Sequence, residues 1–139
     1  MREILFETSV VNGDGVDGIA YVDRADGLRV VTSNPVSSRP GTNPEELLGL
    51  AFATCMNATI KAVLKREQLE NDSKVIVDVQ LKRDESDNSY YFDVVLKAMI
   101  EGMAVAEAEP IVKQAEKRCP VSKLLQGADT LTIKTVPYQ

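Results

Sequence analysis

Short β-branched runs open the chain. Ile4 to Val10, Ile19 to Val22 and Leu28 to Thr32 read as strands, separated by VNGDGVDG and DRADG, both rich in turn residues. Links this short cannot carry a crossover, so the strands are expected to form an antiparallel meander. SNPVSSRPG, residues 33–41, is a loop by composition. The pattern then changes period. Residues 42–69 predict a long helix: Thr42 or Asn43 can cap it, Pro44 suits its first position, and Glu45 and Glu46 place anions at the positive end of its dipole. From Leu47 to Ile60 the helix reads LLGLAFATCMNATI, apolar or small on nearly every side, which predicts burial. Lys61 to Glu70 is charged and is expected to emerge into solvent.

Beyond the LENDSK turn, Val75 to Arg83 and Tyr90 to Ile100 alternate as the two arms of a hairpin joined by DESDNS. Glu107 to Arg118 predicts a second helix with Pro110 at or near its first turn, ending at Cys119 because a residue before proline is pushed out of the helical region. Val121 to Leu125 is expected to form a short helical turn ended by Gly127, and Thr130 to Val136 a closing strand. The resulting order, β-β-β-α-β-β-α-β, is an α+β pattern with no βαβαβ repetition and no glycine fingerprint for nucleotides.

The chain has 139 residues, which favours a single domain spanning 1–139 with a core that needs no staples. Sixteen basic against 21 acidic side chains leave a net charge of −5, which argues against nucleic acid or an anionic membrane as partner. Histidine is absent, which removes Ser-His and Cys-His hydrolases and every His-ligated metal site. No segment reads as a signal peptide, and no uninterrupted apolar run reaches the ~20 residues of a membrane span. The expected location is therefore the cytoplasm, where structural disulfides are rare.

The chemistry left available rests largely on two cysteines, Cys55 in the apolar helix and Cys119 at the end of the second one. Taken alone they are either buried small hydrophobes or a redox pair, and a separation of 64 residues does not decide between these. Their surroundings do more. GTNPEELLGLAFATC, ending at Cys55, and CPVS, starting at Cys119, resemble the two signatures of the OsmC/Ohr family of hydroperoxide-reducing proteins. Element order and spacing agree, so the resemblance covers essentially the whole chain. CPVS after AEKR looks closer to the osmotically induced branch than to the organic hydroperoxide resistance branch.

The resemblance implies an OsmC-like fold in which antiparallel sheets pack on a long buried central helix, within an intertwined homodimer whose active sites lie at the subunit interface. It also implies a peroxidase without metal, haem or other cofactor. Cys55 would attack the O–O bond of an organic hydroperoxide, or of hydrogen peroxide, and become a sulfenic acid. Cys119 would resolve it as an intramolecular disulfide, which a dithiol reduces; dihydrolipoyl groups, and so a lipoyl-bearing protein, serve this role in the family.

Only the thiolate attacks, and an apolar helix disfavours it, so a cation must reach Cys55; without histidine that cation is Arg or Lys. Family members use an Arg held by a Glu, and the Glu after Asn-Pro maps to Glu45. On one straight helix Glu45 is ~15 Å from Cys55, so it would serve the partner subunit's site; its other reading is a simple dipole cap. The family's hairpin Arg has no counterpart in NGDGVDG. The expected substitute is Arg39, just before the signature helix, whose other reading is a solvated loop charge; Arg24, Arg29 and Arg118 are weaker candidates. The missing hairpin Arg leaves an alternative open: an OsmC-like binding or interaction protein with weak or no peroxidase activity.

Overall fold

The computed structural model describes residues 2–139. The chain divides into two compact units, residues 1–44 and 45–139.

The first unit is an antiparallel meander of β1 (Val10–Asn12), β2 (Gly18–Val22) and β3 (Arg29–Thr32). The expected turn chemistry builds its first reversal. The Asn12 side-chain oxygen accepts from the backbone N–H groups of Asp14 and Gly15, Asp14 accepts from the N–H of Ile19, and Gly15 takes a φ of 80°. The expected first strand, Ile4 to Val10, is not formed as such: β1 starts only at Val10, and Ile4, Leu5 and Phe6 are each at least 75% exposed. The cause lies in the ladder. β2 ends at Val22, opposite Val10, and the last bond beyond it runs from the Asp23 N–H to the Ser9 carbonyl. Residues before Ser9 have no strand in this unit to pair with.

The second unit holds α1 (Pro44–Arg66), β4 (Ser73–Arg83), β5 (Tyr90–Ile100), α2 (Val105–Arg118), α3 (Pro120–Leu125) and β6 (Leu131–Thr135). Pro44 opens α1 and belongs to the first unit by its contacts. The expected hairpin forms, its first strand starting two residues earlier than expected, with Ser73 opposite Ile100 and Arg83 opposite Tyr90. β6 joins β5 in parallel, Leu131 beside Val94 and Thr135 beside Ala98, a departure from the antiparallel expectation. The connection explains it: between β5 and β6 the chain runs through α2 and α3, long enough to return to the same end of the sheet. Helix α2 starts two residues earlier than expected, with the Glu107 carboxylate accepting from the Ala104 N–H as half of a capping box, so Pro110 falls in the second turn.

The core of this unit is a layer between helices and sheet. Phe52, Met56, Ile60, Val63 and Leu64 of α1 recur at helical spacing and meet Val94, Leu96, Ala98 and Ile100 of β5 and Ala108, Ile111, Val112 and Ala115 of α2. Burial of α1 is confined to that face. Leu50 is 64% exposed, and Ala51, Thr54 and Ala58 are exposed beside it. By length and composition alone α1 is apolar enough to cross a membrane, with a mean hydropathy of 1.6 over its most apolar stretch. Its acidic first turn, basic last turn and one face seated in the core are those of a core helix covered on one side.

Candidate active site

Cys55 sits on α1 one turn after Phe52 and beside Met56, half-buried against the core. The Thr59 hydroxyl donates to its carbonyl at 2.8 Å, so the polar groups of this turn are satisfied locally. Cys119 is placed by different means. Pro120 disfavours helical backbone at the residue before it, and Cys119 takes an extended conformation, φ −65° and ψ 117°. It thereby closes α2, its N–H donating to the Ala115 carbonyl at 2.8 Å, and opens α3, with Pro120 in the first turn. The sulfur acts as the cap: the Ser122 N–H donates to Cys119 Sγ at 3.4 Å. The CPVS sequence is thus a two-helix joint that points a thiol inward.

That joint brings the two thiols together. Cys119 Sγ donates to Cys55 Sγ across 3.1 Å, and both cysteines are free. The pair is asymmetric, because Cys119 has no exposed surface and Cys55 retains some. Burial pushes the Cys119 thiol up to about 11; the backbone N–H of Ser122 pulls against this, and the neighbouring Cys55 sulfur adds to it. Cys119 is therefore a neutral thiol at physiological pH, fitted to donate to Cys55.

The other expected site residues do not meet the thiols within one unit. Glu45 lies in the first turn of α1, half-buried, and lines a groove of about 960 Å³ between α1 and the sheet with Leu50, Val77, Val79 and Lys97. Neither cysteine lines that groove. Arg39 belongs to the first unit, in the exposed loop after β3. Its backbone holds the loop: its N–H donates to the Ser37 hydroxyl at 3.0 Å and its carbonyl accepts from the Ser33 hydroxyl at 3.1 Å. Gly41, with φ of 149°, closes this loop where a Cβ would meet the Ser33 backbone N at 3.0 Å. Arg29 stacks over Tyr21, and Arg118 is exposed in the last turn of α2.

Two groups not singled out from the sequence contribute. Ser122 supplies the N–H on the buried sulfur; its signal was its place three residues after an N-capping side chain, the usual position of the capped N–H. Asn57 anchors the cysteine-bearing helix to β4, accepting from the Ser73 hydroxyl at 2.7 Å while its amide donates to the Ser73 carbonyl at 3.3 Å. Among the described residues no cluster of three or more His, Cys, Asp or Glu is arranged to hold a metal ion.

Two free thiols in contact, one on α1 and one at the joint of α2 and α3, are set in a unit of α+β architecture. The chain belongs to the OsmC-like protein family, whose family model matches residues 37–134. It is 30% identical over 138 residues to the organic hydroperoxide resistance protein OhrA of Bacillus subtilis, covering 96% of this chain and 98% of that one. Among solved structures it resembles one from Lactobacillus casei (TM-score 0.89, 38% identity, covering 98% of this chain and 94% of that one). It also resembles OhrB of Bacillus subtilis (TM-score 0.84, 29% identity, covering 97% and 100%). Both Bacillus relatives carry the organic hydroperoxide resistance name, not that of the osmotically induced branch expected from CPVS.

Proposed function

We propose that this protein is a thiol peroxidase that reduces organic hydroperoxides, with Cys55 as the attacking thiol and Cys119 as the resolving one. The observation that carries the reading is the 3.1 Å separation of the two sulfurs. The names of the relatives for organic hydroperoxide resistance support the substrate class. Chemically, the Cys55 thiolate attacks the nearer peroxide oxygen, the O–O bond breaks, and the departing alkoxide takes a proton to leave as an alcohol. Cys55 is then a sulfenic acid. Cys119 Sγ, already in contact, attacks that sulfur and expels water as the disulfide closes. A dithiol, of the dihydrolipoyl type, returns both sulfurs to thiols. No metal or organic cofactor enters this sequence.

We extend the reading to the surroundings of the site. Arg39 is the cation that favours the Cys55 thiolate, and Glu45 orients it from the partner subunit of a homodimer; a fork of donors can hold a carboxylate and face a sulfur at once. The exposed apolar side of α1 and the exposed Ile4, Leu5 and Phe6 support a second copy as the covering surface. The working compartment is the cytoplasm, where a dithiol reductant is available. The test is peroxide consumption with dihydrolipoamide as sole reductant: turnover of cumene hydroperoxide that Cys55→Ser abolishes is expected. No consumption above the protein-free rate would favour the alternative of an OsmC-like binding protein.

A further inference from the structure

Resting on the peroxidase reading, we propose that the reducing thiol attacks the Cys55 sulfur of the Cys55–Cys119 disulfide, so that the mixed disulfide is carried on Cys55 and Cys119 is the leaving group. Thiol–disulfide exchange proceeds by attack on one sulfur, and the bond to the other breaks. Which sulfur is attacked depends on approach. Cys119 has no exposed surface, its sulfur accepts from the Ser122 N–H at 3.4 Å, and the residue belongs to the buried core of the second unit. An incoming thiolate finds no open path to it. Cys55 keeps part of its surface exposed.

The incoming thiolate forms a new S–S bond to Cys55 Sγ, the Cys55–Cys119 bond breaks, and its electron pair stays on Cys119 Sγ. The Ser122 N–H already donates to that sulfur, and a proton from solvent then restores the Cys119 thiol. The second thiol of the dithiol attacks the external sulfur of the mixed disulfide, releases Cys55 as thiolate and leaves as a cyclic disulfide. Leaving-group strength runs against this direction, since burial raises Cys119 to about 11 and a basic thiolate leaves slowly. Access decides instead, because the alternative needs a nucleophile behind a sulfur packed in the core. Protonation of the released Cys119 also opposes its return to the mixed disulfide.

The experiment uses the wild-type protein and glutathione, a monothiol that cannot complete the second step. The protein is oxidised with one equivalent of cumene hydroperoxide, and formation of the intramolecular disulfide is verified by intact mass. It is then exposed briefly to glutathione, quenched in acid and mapped by peptide mass spectrometry. The expected result is the glutathione adduct on the Cys55 peptide and a free thiol at Cys119. Glutathione found mainly on Cys119 would overturn the proposal while leaving the peroxidase reading intact. If no intramolecular disulfide forms at the first step, the peroxidase reading fails, and the proposal with it.

Discussion

Cys55 and Cys119 are 64 residues apart in the chain and 3.1 Å apart at their sulfurs. The contact depends on one covalent fact, the proline after Cys119. Pro120 ends α2, and the sulfur that caps α3 is turned toward α1. The two thiols are matched in position and unmatched in exposure, and the proposed chemistry uses both properties.

The division of labour between them gives the first prediction. Cys55→Ser should abolish peroxide turnover, because the attacking sulfur is gone. Cys119→Ser should still consume about one equivalent of peroxide, leaving a sulfenic acid at Cys55 that dimedone labels, and then stall with a dithiol unless the reductant attacks the sulfenic acid directly. Retained turnover in Cys55→Ser together with its loss in Cys119→Ser would reverse the assignment.

A pH dependence follows from the buried thiol. Folding raises Cys119 from its ordinary 9.0 to about 11, so the folded state favours the neutral form. This contribution is complete below the lower value and is lost as pH rises through the higher one. Urea midpoints of the reduced protein should therefore fall between pH 9.0 and about 11. The oxidised protein, with no thiol to ionise, and Cys119→Ala should lack that part of the fall. Identical curves for all three would mean that Cys119 is not buried as described.

Much of this architecture was legible in the sequence, for identifiable reasons. Pro44, Glu45 and Glu46 marked the start of α1, the alternation of VIVDVQLKR and YYFDVVLKAMI marked the hairpin, and Pro120 marked the end of α2. These are local signals. What was not legible depends on partners. Ile4 to Ser9 has strand composition and no strand beside it in its unit, and the apolar circumference of α1 gives no sign of which face the sheet covers. The parallel pairing of β6 is likewise set by a crossover and not by the composition of TLTIKTV. At the site, the two signatures located both thiols, but spacing carries no information on the distance between them. Ser122 and Asn57 act through a backbone N–H and a pairing with a distant strand, which leave little trace in residue type.

The Asn57–Ser73 pair should matter to stability in a way separable from chemistry. Each side chain satisfies the other between α1 and β4. Asn57→Ala should cost about 1–3 kcal/mol by stranding its partner in a partly buried site. A double-mutant cycle with Ser73→Ala, read from urea denaturation, should show a coupling of about 1 kcal/mol. Strict additivity would mean that the two do not depend on each other.

Assembly is the next test. Leu50 is 64% exposed on a helix apolar or small on nearly every side, and the proposed homodimer covers it. Light scattering at micromolar concentration should give twice the mass of one chain, and Leu50→Glu should shift the population toward monomer. A wild-type protein that is monomeric under these conditions would remove the covering partner, and with it the role given to Glu45.

The neighbouring thiols of Cys55 and Cys119 are, on the proposed reading, a working redox pair. One measurement addresses it most directly: stoichiometric oxidation of the reduced protein with cumene hydroperoxide, followed by alkylation and peptide mass mapping. One equivalent of peroxide should convert both thiols into a single Cys55–Cys119 disulfide within one chain, with neither cysteine left open to alkylation and both recovered on addition of dihydrolipoamide. Two thiols that remain fully alkylatable after exposure to the peroxide would contradict it.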